Sequence, residues 1–115
     1  MMLPRHPKRV FLAVGHTDMR KSINGLSVLV ERGMGHNPFD GDLFVFCNRR
    51  RNMIKILYWD KNGFVLWHKR LEKHRFLWPV TTDAVISLGS KELELLLAGL
   101  DYTCAHGPLR YRFAS

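Results

Sequence analysis

The sequence predicts an α+β fold: a single compact domain with a mainly antiparallel sheet of four to six strands, an N-terminal helix over about 19–33 and a C-terminal helix over about 90–99 packed on it. Three patterns carry this expectation. Residues 42–71 are a dense run of apolar and β-branched segments punctuated by turn residues, as in consecutive strands. Met19, Ile23, Leu26 and Val30 recur at helical steps, which makes one apolar helical face. Ser90 precedes KELELLLAGL, a capped amphipathic run with acids in its first turns.

Taken in order, RVFLAV (9–14) reads as a short strand ended by Gly15. The first helix follows, capped by Thr17 or Asp18 and closed by a Gly-Met-Gly sequence suited to a C-cap. Gly25 inside it costs about 1 kcal/mol relative to Ala, so another element is expected to pack closely there. HNPFDGD (36–42) is a loop by its Asn-Pro and Asp-Gly turn signals. DLFVFCN (42–48) is apolar enough for a central strand, NRRRN (48–52) connects it to MIKILYWD (53–60), and FVLWHKRL (64–71) returns. An Asn62-Gly63 loop pairs positions whose numbers sum to 125, setting Tyr58 opposite Trp67 and Lys55 opposite Arg70. RFLWPV (75–80) is a candidate edge strand stopped by Pro79, and AVISLG (84–89) is a last strand or an extended connection. The domain spans 1–115, with its core at about 8–101 and a loosely ordered tail at 102–115.

Charge narrows the function. The chain carries 18 Lys and Arg against 10 Asp and Glu, a formal net charge of +8, and 15 of those cations precede residue 79 with only 6 of the acids. So strong and lopsided a positive balance points to a polyanionic partner, nucleic acid before a membrane surface; the bland alternative is a solubility device. No apolar run approaches the ~20 residues of a spanning helix, and the N-terminal cations lead into no signal-peptide core, so a cytoplasmic protein without membrane contact is expected. Cys47 and Cys104 have no metal-ligand spacing and read most simply as isolated thiols.

The candidate nucleic-acid-binding residues are Arg20, Lys21, Arg49, Arg50, Arg51, Lys55, Lys69, Arg70, Lys73 and Arg75. Arg49–Arg51 at a loop tip repel one another unless an anion neutralises them, and the planar guanidinium suits phosphate. KRLEKHR (69–75) extends the basic patch, and the hairpin face holding Lys55, Trp59, His68 and Arg70 combines cations with a stacking surface; the alternative there is an ordinary solvated face. Arg20 and Lys21 fall in the first turn of the expected helix, where the dipole disfavours cations. Either Asp18 pairs with them or an anion does. Thr17, Asp18, Trp59, Asp60 and Gly63 are expected to be structural or anchoring. No catalytic, metal or cofactor motif is present: HExxH, CxxC, GxSxG and P-loop patterns are all missing, and acids are too sparse for a two-metal nuclease site, so neither an enzyme nor a cofactor is expected.

The segments GHTDMRKSINGL, FDGDLFVFCNRRRNMIKILYWDKNGFVLWHKRLE and RFLWP, in that order, resemble TnpB, the small accessory protein of the sixty-six group of bacterial insertion sequences, unrelated to the RNA-guided nucleases that share its name. The resemblance runs from about Arg9 to Asp101 and includes Thr17, Asp18, Met19, Arg20, Lys21, Arg49, Arg50, Lys55, Trp59 and Asp60; His74 departs from an expected Gly, and Ser22 from a common one. It implies an accessory role in transposition beside a separate transposase that supplies the catalytic acids, with transposon-end DNA and the element's other products as partners. DNA binding without strand transfer is the first expectation and a protein adaptor holding the transposase the second.

Overall fold

The most apolar run of the chain becomes the middle of the sheet. In the computed structural model, which describes residues 3–4 and 9–103, five strands form one sheet: β1 (Val10–His16), β2 (Leu43–Cys47), β3 (Met53–Asp60), β4 (Gly63–Arg70) and β5 (Val85–Leu88). They lie in the order β4-β3-β2-β1-β5, and every residue of the central β2 is buried. Three pairings are antiparallel; β1 and β2 are parallel, because α1 (Ile23–Val28) crosses over between them. The sheet is therefore mixed within the expected α+β class.

Strand alternation divides the core between two faces. On one, Leu12, Val45, Ile54, Ile56 and Tyr58 meet Leu93 and Leu96 of α2 (Ser90–Leu97), with Phe76 from the segment after β4. On the other, Phe11, Phe44, Phe46 and Leu57 receive Leu26 and Val30, with Met19 and Ile23 at the margin. The four apolar residues at helical spacing thus all face the sheet, and both sheet faces are covered.

The helix bearing them is shorter than 19–33. It begins at Ile23, with Ser22 at the N-cap position making no side-chain cap bond, and after Val28 it widens into a π-helical turn, Leu29–Gly33. Gly35, at φ +70°, supplies the left-handed residue that stops it. Thr17 and Asp18 consequently do not cap the helix, and Arg20 and Lys21 precede it instead of opposing its dipole. What approaches Gly25 is the Lys21 stem, where a Cβ would sit 3.3 Å from Lys21 Cβ, and not a separate element.

The β3–β4 register is Asp60↔Gly63 through Met53↔Arg70, so paired numbers sum to 123, the connecting residues are Lys61 and Asn62, and Gly63 is already in the strand. A shift of two leaves each residue on its expected face but changes its partner. Lys55 now lies opposite His68, not Arg70, which removes the cross-strand repulsion of the 125 register. Lys61 takes φ +51°, and the Asn62 N–H closes back on the Asp60 carbonyl. Replacing Lys61 with Gly should relieve a side chain held in the left-handed region, raising stability by about 0.5–1 kcal/mol in thermal unfolding.

Residues 75–80 are not the edge strand that RFLWPV suggests. Phe76 is buried in the α2-side core, its N–H donates to the Arg51 carbonyl at 2.6 Å, and the Trp78 indole donates to Val14 O at 2.8 Å, so the segment is a strap across the end of the sheet. Residues 84–89 do supply a strand, β5, paired with β1. At α2 the N-cap position is Gly89, not Ser90; its N–H donates to the Glu92 carboxylate at 2.7 Å. The expected loose tail and Cys104 lie outside the described residues from 104 onward, while Tyr102 still packs on the core.

Candidate nucleic-acid interface

The turn between β2 and β3 is organised by a residue the charge reading passed over. Asn48 Oδ1 accepts the N–H groups of Asn52 and Met53, both at 3.1 Å, and its Nδ2 donates to Asn52 Oδ1 at 2.7 Å. With Arg51 at φ +61°, this bracket projects Arg49 and Arg50 into solvent. An Asn at a strand end ahead of a charged turn was the available sequence signal, since its amide readily bonds nearby backbone.

Two backbone bonds then dock the basic segment after β4 against this turn. Leu71 N–H donates to Asn52 O at 2.8 Å and Phe76 N–H to Arg51 O at 2.6 Å. Arg49, Arg50, Lys73, His74 and Arg75, far apart in sequence, are thereby gathered on one exposed rim. Between the turn and this segment lies a polar cavity of about 210 Å³, lined by Arg50, Asn52, Leu71, Glu72, Lys73, His74 and Arg75. His74 has no left-handed φ, so the segment turns without the expected Gly.

The TDMRK segment lies at the same end of the sheet. Thr17 is buried and its N–H donates to Cys47 O at 2.8 Å, while Arg49 Nη2 is 3.3 Å from His16 Nε2. Asp18 accepts the Arg20 N–H at 2.9 Å and its guanidinium at 2.7–3.1 Å. Arg20 thus has its counter-ion within the chain, although its side chain is 91% exposed; Lys21 is exposed and has no ion pair among the described residues. Hydrogen bonds from Arg20 hold the Asp18 carboxyl down at about 2, below its ordinary 3.8. A depressed acid favours the paired state above 3.8 and loses that favour as pH falls through about 2. In Arg20→Ala the Asp18 carboxyl should titrate higher but stay below its ordinary value, because the backbone N–H of residue 20 still donates to it; carbon NMR of the side chain would show this.

Other candidates are tied into the fold. Lys55 Nζ donates to Met19 O at 2.7 Å and Lys21 O at 3.0 Å, fastening the segment before α1 to the sheet. Lys69 Nζ donates to Leu97 O at 2.8 Å, at the negative end of α2. Arg51 lies 5.6 Å over the Trp78 ring, and Arg70 pairs with exposed Glu72 at 3.2 Å. Burial pushes the neighbouring Cys47 thiol up, opposed by Arg51.

Trp59 and the rim do not share one surface. Trp59 packs edge-on against Phe39 and Phe64, with centroids 5.0–5.1 Å apart, beside Asp60 and Gly63 at the opposite end of β3. Six residues of extended strand, about 20 Å, separate Trp59 from Met53 at the rim. The expected joint face of cations and stacking surface therefore divides into a cationic end and an aromatic end.

Among the described residues no three His, Cys, Asp or Glu side chains gather as metal ligands, and no helix is long and apolar enough to cross a membrane. Sheet, helices and rim together define a small basic α+β domain with a group of exposed cations gathered where the parallel strands end. The chain belongs to the family described as IS66 Orf2 like protein, whose profile matches residues 8–106, and it is thus a transposition-associated accessory protein. Two relatives come from Sinorhizobium fredii (strain NBRC 101917 / NGR234). Uncharacterized protein y4hO is 39% identical over 94 residues, covering 82% of each chain; Uncharacterized protein y4jC is 36% identical over 103 residues, covering 90% of this chain and 88% of its own. No solved structure matches the chain.

Proposed function

We propose that this protein binds DNA as an accessory factor in the cytoplasm, grasping the phosphate backbone near transposon ends without catalysing strand transfer. The observation that supports it is the docked rim. Arg50, Lys73 and Arg75 converge there with no hydrogen-bond or ion-pair partner among the described residues, beside exposed Arg49. Converging cations repel one another, and folding brings them together against that repulsion; a polyanion removes the cost. Among the described residues no Phe, Tyr or Trp stands free on the rim as a stacking platform, since Phe76 is buried and Trp78 lies under Arg51 with its indole N–H bonded, which favours contact with duplex phosphates.

The test is binding to transposon-terminal and scrambled duplex over a salt series. Six or more phosphate contacts would weaken binding by roughly 10³-fold between 50 and 200 mM salt. Preference for the terminal sequence would make the protein an end-recognition factor, equal steep binding a general clamp, and no binding would end the proposal.

The second reading is an adaptor for the transposase. The exposed aromatic end favours it: Phe39 is 55% exposed against Trp59 and Phe64, on the side away from the rim. Co-purification with the transposase after nuclease treatment is its expected result, and a complex that nuclease abolishes would overturn it.

A further inference from the structure

We infer that the cavity between the β2–β3 turn and residues 71–75 is a discrete phosphate seat, in which one phosphate group of the nucleic acid is held by Arg50, Lys73 and Arg75 with the Asn52 amide as a neutral donor. This deepens the DNA reading and rests on it for the source of the phosphate.

The walls of the seat are set by the fold. One wall is the Asn48-bracketed turn, and the other is pinned to it by the Leu71 and Phe76 backbone bonds on either side of the cationic residues. The space between them, about 210 Å³ and open to solvent on one side, admits a tetrahedral phosphate with some water. Its lining is almost wholly polar, with Leu71 the one apolar side chain. Asn52 is oriented by Asn48, which donates to its Oδ1 and so leaves its Nδ2 as a donor.

Charge selects the ligand class. Three cations line the cavity with one acid, Glu72, and that acid already accepts from Arg70 at 3.2 Å. A carboxylate-lined cavity would suit a metal; this one has a surplus of fixed positive donors and one partnered carboxylate, the complement of an oxyanion. Arg50 offers a planar fork to two oxygens and Lys73 a point charge to a third. Arg49, by contrast, lies outside the cavity beside His16, so it meets neighbouring phosphates rather than the seated one.

The experiment uses the full chain and begins with inorganic phosphate, titrated at fixed ionic strength against a chloride control and followed by amide NMR. Saturable shifts confined to residues 50–52 and 71–76, lost in the double variant Arg50→Gln/Lys73→Gln, are expected. Shifts spread evenly over Arg20, Lys21 and Arg49, or none, would overturn the seat. Both substituted side chains are exposed, and an unchanged thermal midpoint would show that the variant is folded. Three DNAs then separate the two sources of phosphate: a short duplex with 5′-phosphate, the same duplex with 5′-hydroxyl, and a closed circle. Tighter binding of the phosphorylated duplex assigns a strand terminus, and equal binding of all three, falling about tenfold or more in the variant, assigns an internal phosphodiester. Wild-type protein that binds inorganic phosphate in the cavity but no DNA upholds the seat and overturns the DNA reading. Unchanged DNA affinity in the variant overturns the seat and leaves the DNA reading standing on the rest of the rim.

Discussion

Substituting Arg49, Arg50, Lys73 and Arg75 together with Gln should weaken duplex binding by about 10³-fold near 0.1 M salt. Each phosphate contact contributes roughly 0.9 to the slope of log affinity against log salt, so losing four should flatten that slope by about 3–4. The loss should be the same for terminal and scrambled duplex, because phosphate contacts orient a protein on DNA without reading sequence. All four side chains are exposed, so the thermal midpoint should stay put or rise as the mutual repulsion is relieved. Arg51→Gln is the informative contrast. Its guanidinium lies over Trp78, so removing it should cost about 0.5–1 kcal/mol of stability while the salt slope barely moves. Equal slope losses for Arg51 and for the exposed arginines would contradict the division of the NRRR turn into one structural and two binding residues.

The second large effect is in stability, at the end of the sheet away from the rim. Asp42 ends the loop ahead of β2 with its side chain 1% exposed, and it pairs with Arg9 at 3.1 Å; Arg9 O also accepts the Leu43 N–H at 2.9 Å. Arg9→Met keeps the backbone bond and much of the stem but leaves the buried carboxylate without its cation. Removing one partner of a buried pair typically costs about 3–5 kcal/mol, and since the Arg9 side chain is 60% exposed the lower end applies, about 3 kcal/mol. Adding Asp42→Asn should recover a large part of that loss, because an amide needs no counter-charge. Chemical denaturation of the two single variants and the double gives the coupling directly. Purely additive costs would mean that the pair contributes nothing specific.

The lessons of the sequence are clearest where local chemistry decides. β3 was legible to the residue from its largely apolar run between turn signals, and β2 nearly so, because β2 is buried on both faces and must be apolar throughout. The face of Met19, Ile23, Leu26 and Val30 was also legible, for it records which side of the segment meets the sheet. The start of that helix was not. Asp18 had two outlets, the backbone of a helix or its neighbour Arg20, and one sequence cannot rank two local bonds of similar strength. The hairpin register was ambiguous for the same kind of reason: alternation fixes faces but not partners, so registers two residues apart are alike in sequence, and the fold selects the one with Lys55 opposite His68.

The candidate site divides along the same line. Sequence alone determined the family resemblance, the basic charge, the strands of the central run at 42–71 and the residue types of the rim, since these rest on composition and on periodicities of a few residues. Only the tertiary structure decided which cations are free. Lys55, Lys69 and Arg51 look no different in sequence from Arg50, Lys73 and Arg75, yet the first three find carbonyls or an indole of the same chain and the second three converge on a cavity. The physical reason is distance along the chain: the partners that occupy Lys55 and Lys69 lie 28–36 residues away, and the bonds that dock residues 71–76 onto the turn join positions 19 and 25 apart. No short-range pattern encodes a contact at that separation; it exists only once the sheet has formed and the strap has closed over its end.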